Sequence, residues 1–156
     1  MSSRIPSFYR IWFTVVDPFL SIIGVYGNLF APTSILNSYS SSYVSPPTTE
    51  TIPLLDTTAG FLAGLAFLQV ALLRAKPTDL TVWGALQGST VLVDIAMCGW
   101  IYEGVVCRGR TDWRDWKVEE WTSLGNTAGV ALIRTAFLLD VGMGGEERGD
   151  GKGKRI

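Results

Sequence analysis

"LTVWGALQGSTVLVDIAMCGWIYEGVV", residues 80–106, is one apolar run that carries two carboxylates, Asp94 and Glu103. At ~1.5 Å per residue it is long enough to cross the ~30 Å hydrocarbon core of a bilayer. Three further runs match it: "IWFTVVDPFLSIIGVYGNLF" (11–30), "LLDTTAGFLAGLAFLQVALL" (54–73) and "WTSLGNTAGVALIRTAFLLDVGM" (121–143). A soluble helix keeps one polar face, whereas these runs are apolar around most of their circumference. The expected fold is therefore all-α: a polytopic membrane protein with a bundle of four transmembrane helices over 11–143. A cytosolic segment, 1–10, precedes it. The glycine-rich, charged tail, 144–156, is expected to be disordered.

Composition narrows the chemistry. The 156 residues include no histidine, so His-assisted nucleophiles and His-containing zinc sites are excluded, and no metal or cofactor is expected. Net charge is −1, and no basic stripe interleaves with aromatics, which argues against nucleic acid. Cys98 and Cys107, nine residues apart on one helix, would stand ~13 Å apart along its axis, too far to bridge. The first run is too long for a cleaved signal peptide and lacks a small-x-small site after it.

Lysine and arginine counts set orientation. Arg4, Arg10, Arg74, Lys76, Arg148, Lys152, Lys154 and Arg155 fall on one side of a four-span chain, against Arg108, Arg110, Arg114 and Lys117 on the other. Eight against four puts both termini in the cytosol. The Ser-, Thr- and Pro-rich connection 31–53 then faces the lumen as irregular chain, while Trp113, Trp116 and Trp121 suit an interfacial aromatic belt. Lysines third and fifth from the end (Lys154 and Lys152) resemble a dilysine signal for return to the endoplasmic reticulum.

Gly60 and Gly64, Gly84 and Gly88, and Gly125 and Gly129 each form a GxxxG pair. Such pairs let helix backbones approach in lipid. They predict a tight bundle, or faces for a membrane protein partner or a homo-oligomer. Asp17, Asp94 and Arg134 lie deep within their runs, where each alone would cost about 2.5–3.5 kcal/mol. Arg134 is the basic residue at that depth, and its guanidinium can hold both acids. Gln87 and Cys98 share a helix face with Asp94. Pro18, after Asp17, breaks the helical ladder. Glu103 and Asp140 read as solvated ends.

"IPSFYRIWFTVVDPFLSIIG", "DLTVWGAL", "WTSLGNTAG" and "IRTAFLLDVG", taken in order over roughly residues 5–143, resemble a fungal family of small four-helix integral membrane proteins classed as a domain of unknown function. The resemblance implies topology and source rather than an activity. Members often carry a histidine three residues after the third-helix acid; here Met97 stands there, which removes acid–histidine chemistry. A looser likeness at fold level is to small membrane sterol isomerases and fungal membrane terpene cyclases.

Two functional readings follow from these residues. In the first, an endoplasmic-reticulum protein of specialised metabolism binds or converts a lipophilic small molecule. A protonated Asp94 acts as acid with Asp17 and Arg134 beside it. Gln87, Trp100, Tyr102 and Asn126 contact the ligand, and Trp12 and Trp83 also face developing positive charge. In the second, the chain is a non-catalytic membrane scaffold or partner of another membrane enzyme. A transporter ranks below both, because four spans show no inverted repeat.

Overall fold

The computed structural model describes residues 5–39, 46–107 and 109–143. The disordered tail expected at 144–156, and the dilysine match within it, lie outside the described residues. Those that are described are helical, with no strand among them. The first rod, Ser7–Phe30, is continuous and built from α1 (Ser7–Ile11), a π-helical turn (Trp12–Val16) and α2 (Asp17–Phe30). After it come α3 (Pro32–Tyr39), α4 (Thr51–Ala75), α5 (Leu80–Val106), a 3₁₀ turn (Trp113–Asp115) and α6 (Val118–Leu138).

The π turn is the answer to Pro18. Proline offers no N–H, and its ring would clash with the carbonyl four residues back. Widening the preceding turn so that the Asp17 N–H reaches the Trp12 carbonyl, an i to i+5 bond, keeps the rod unbroken. Asp17 and Pro18 are both buried. The freed backbone that a proline creates is thus taken up within the helix itself.

Among the described residues, three helices are long and apolar enough to cross a membrane: Ser7–Phe30, Thr51–Ala75 and Leu80–Val106. Their outer faces confirm the reason, since Phe19, Ile22, Phe67, Leu92 and Ile95 are all exposed. In water such a surface would aggregate; against acyl chains it is at equilibrium. α6 is not among the three. It carries Glu119, Glu120, Asn126 and Arg134 within 21 residues, and it stops at Leu138 rather than at 143. Beyond it the chain turns through Asp140 (φ 56°) and Gly142 (φ 75°), left-handed conformations that end a helix.

The long segments alternate in direction. One apolar cluster joins Ile5, Tyr9 and Phe13 at the start of the first rod, Leu73 at the end of α4, Trp83 and Leu86 at the start of α5, and Phe137 at the end of α6. The Tyr9 hydroxyl donates to the Val141 carbonyl at 2.8 Å, so both ends of the described chain meet here. Edge-on contacts of Phe137 with Tyr9 and Phe13, at 5.2 and 5.4 Å, fix the aromatic geometry of this floor. The Trp83 indole N–H donates to the Lys76 carbonyl at 2.9 Å and ties the α4–α5 turn to it. Asp79 caps α5 by accepting from the Thr81 and Val82 N–H groups.

The rods pack most extensively as two antiparallel pairs, α2 along α4 and α5 along α6. Two expectations change here. The 31–53 connection is not wholly irregular: Pro32, suited to a first helical turn, starts α3, which packs on α2 and α6. Its Ile35 sits against Gly27, where a Cβ would meet the Ile35 Cδ1 at 2.7 Å. The GxxxG pairs do not draw the rods together. A Cβ at Gly60, Gly64, Gly84, Gly88, Gly125 or Gly129 would meet nothing within 4 Å. The inward positions of α5 are held instead by Trp83, Gln87, Thr90, Asp94 and Ile101.

Candidate functional site

One turn inward from the aromatic floor, every long segment contributes a polar side chain. Asp17 follows Phe13 by a turn, Gln69 precedes Leu73, Gln87 follows Trp83, and Arg134 precedes Phe137. Asp94 stands two turns beyond Gln87 on the same face of α5, with Thr90 between them. All six are buried. Between them lie the ion pairs of the protein's interior.

Arg134 is the hub. Its Nη2 donates to Asp17 Oδ2 at 2.6 Å, and its Nη1 donates to Asp94 Oδ2. Gln69 Nε2 donates to that same Asp17 oxygen at 2.6 Å. The bond to Asp94 lies within the α5–α6 pair, the bond from Gln69 within the α2–α4 pair, and the bond from Arg134 to Asp17 joins the two pairs. A planar guanidinium can serve two carboxylates at once, which a lysine ammonium does with poorer geometry. Thr90 satisfies itself locally, donating to the carbonyls of Leu86 and Gln87 at 3.0 and 3.1 Å.

Other atoms of the layer are not satisfied. Neither amide atom of Gln87, a residue 0% exposed, has a hydrogen-bond partner, and the same holds for Gln69 Oε1 and Arg134 Nε. A buried polar group without a partner costs about 1–3 kcal/mol. Four such atoms in one layer, contributed by three helices, are a concentrated cost.

The remaining expected site residues are elsewhere. Trp100 (71% exposed), Tyr102 (57%) and Asn126 face outward and do not join the cluster. Trp100 comes six residues after Asp94, on a different face of α5. Trp83 lies in the floor, with Trp12 packed partly buried against it. Glu103 and Asp140 are exposed. Cys98 and Cys107 are both free thiols.

Sequence reasoning missed two residues. Gln69, the lone amide in "LAFLQVALL", was a legible signal, because a polar side chain in an apolar run needs a partner. Glu120 was not. Buried at the far end, it accepts from Arg110 Nη2 at 2.6 Å and from the Lys117 backbone N–H at 2.9 Å. This pins the 109–117 connection to the start of α6, with the Trp116 and Trp121 rings 5.0 Å apart beside it.

The fold and its interior define an all-helical protein with membrane-length apolar helices and a buried carboxylate–guanidinium–carboxylate cluster. The chain belongs to the family described as Domain of unknown function (DUF7704), whose model matches residues 2–144. No curated protein and no solved structure matches it.

Proposed function

We propose that the chain is a four-span integral membrane protein whose inner polar layer receives the polar group of a lipophilic molecule. The observation that carries this reading is Gln87, fully buried with both amide atoms unpartnered, on the face of α5 that also carries Asp94. Buried amides are ordinarily bonded, and an orphaned pair of donor and acceptor suits a hydroxyl or carbonyl brought in by a ligand. α6 serves as the fourth crossing. It lies along α5, its end joins the common floor, and its one deep charge is paired.

Binding is favoured over acid catalysis, because Arg134 bonds Asp94 as well as Asp17 and leaves no free acid in the layer. The eight-to-four Lys/Arg count supports cytosolic termini, and the tail lysines support residence in the endoplasmic reticulum. The motif resemblance supports a fungal source. The second reading, a non-catalytic partner of another membrane enzyme, draws on the outward Gly60 and Gly64, whose open face suits a neighbouring helix.

The test is Gln87→Leu, with wild type and variant purified from the same membranes into lipid nanodiscs. Wild type should carry a stoichiometric lipophile by native mass spectrometry, and Gln87→Leu should lose it while folding at least as stably. Retention of the same lipophile by the variant would remove the layer as a binding site.

A further inference from the structure

The charges of the layer do not balance. Asp17 and Asp94 are two carboxylates served by one guanidinium, and the other basic residues of the long helices, Arg10 and Arg74, sit at helix ends. The cluster therefore has a formal charge of −1 where the surroundings are hydrocarbon, and a single buried charge there is strongly disfavoured. One further positive charge completes it. Gln69 Oε1 and Gln87 Oε1 are buried acceptors without a donor, and Gln69 is held in the cluster by its own bond to Asp17. Acceptors of this kind call for an N–H donor.

A metal ion fits this set poorly. Among the described residues no three His, Cys, Asp or Glu side chains are grouped to hold one. An ammonium bearing apolar substituents supplies the missing positive charge, an N–H donor for the Gln69 amide oxygen, and hydrocarbon for the membrane. Asp94 is the edge through which it would reach the cluster, since its side chain is 12% exposed against 5% for Asp17 and 7% for Arg134.

We propose that the polar layer binds the protonated nitrogen of a lipophilic amine between Asp94 and Gln69. This rests on the reading of the layer as a ligand site and adds the charge of the ligand.

The experiment uses the full chain in zwitterionic lipid nanodiscs, with empty nanodiscs correcting for partitioning. Dodecylamine is compared with dodecan-1-ol. The measurements are made at about pH 7, where an alkylamine resembling lysine (pKa ~10.4) is protonated. The amine should bind about tenfold more tightly than the alcohol, a difference of about 1.4 kcal/mol. Asp94→Asn keeps the Arg134–Asp17 pair and brings the layer to neutrality. In that variant the amine should lose its advantage while the alcohol binds as before. Equal binding of amine and alcohol to wild type would overturn the amine assignment and leave the ligand site standing, the missing charge then being a proton alone. An amine advantage that survives in Asp94→Asn would also overturn it. Binding of neither probe would overturn the ligand site itself.

Discussion

Replacing Arg134 by Met removes the one cation of the polar layer and keeps most of the side chain's volume. Asp17 and Asp94 each lose a charge-assisted bond to the same guanidinium, and the bridge between the α2–α4 and α5–α6 pairs goes with them. Only Gln69 still bonds Asp17. Two acids held that close must share a proton or repel each other. Breaking a buried pair by deleting one partner costs about 3–5 kcal/mol, and here one deletion orphans two acids, so the upper part of that range applies. Steric trapping or thermal unfolding in bicelles would read the loss. Adding Asp17→Asn and Asp94→Asn to Arg134→Met removes the unpaired charges and should recover much of it. A stable Arg134→Met, or a triple variant no better than the single one, would refute the hub.

Other positions give independent outcomes. Glu120→Ala should cost about 1–3 kcal/mol, since it abandons Arg110 and the Lys117 N–H, and amide exchange across 109–117 should accelerate. Gly27→Val should displace α3, because the new side chain meets Ile35; pairing it with Ile35→Ala should restore stability, whereas an unaffected single variant would contradict the contact. Gly60→Ala with Gly64→Ala meets open space, so the isolated chain should gain up to about 2 kcal/mol from helix propensity; a loss would indicate a helix packed against that face. For orientation, a glycosylation acceptor engineered into 36–45 should be modified and one in the tail should not.

The long elements were legible because apolar length is a local property of the chain, and three rods match the runs to within a few residues at each end. The triad was legible for a related reason: Arg134, Asp17 and Asp94 are improbable in hydrocarbon unless they meet. What failed was inference about faces. Trp100, Tyr102 and Asn126 were grouped with the site by chemistry, yet helical phase turns them outward. The GxxxG pairs describe which faces could approach, yet Trp83, Gln87 and Ile101 hold the inward positions of α5. The π turn answers Pro18 locally, but a kink would have answered it too, and the burial of Glu120 depends on how the 109–117 connection folds back onto α6.

One geometry joins the two helix pairs: a single guanidinium shared by two acids from different helices. Dipolar recoupling by solid-state NMR, with ¹⁵N in the arginine guanidinium and ¹³C in the aspartate carboxyls of the chain in bilayers, reads it without mutation of the site. Arg134 should couple to the carboxyl carbons of both Asp17 and Asp94 at under about 4 Å, as charge-assisted N–H···O bonds require. Coupling to one carboxyl alone, or to neither, would contradict it.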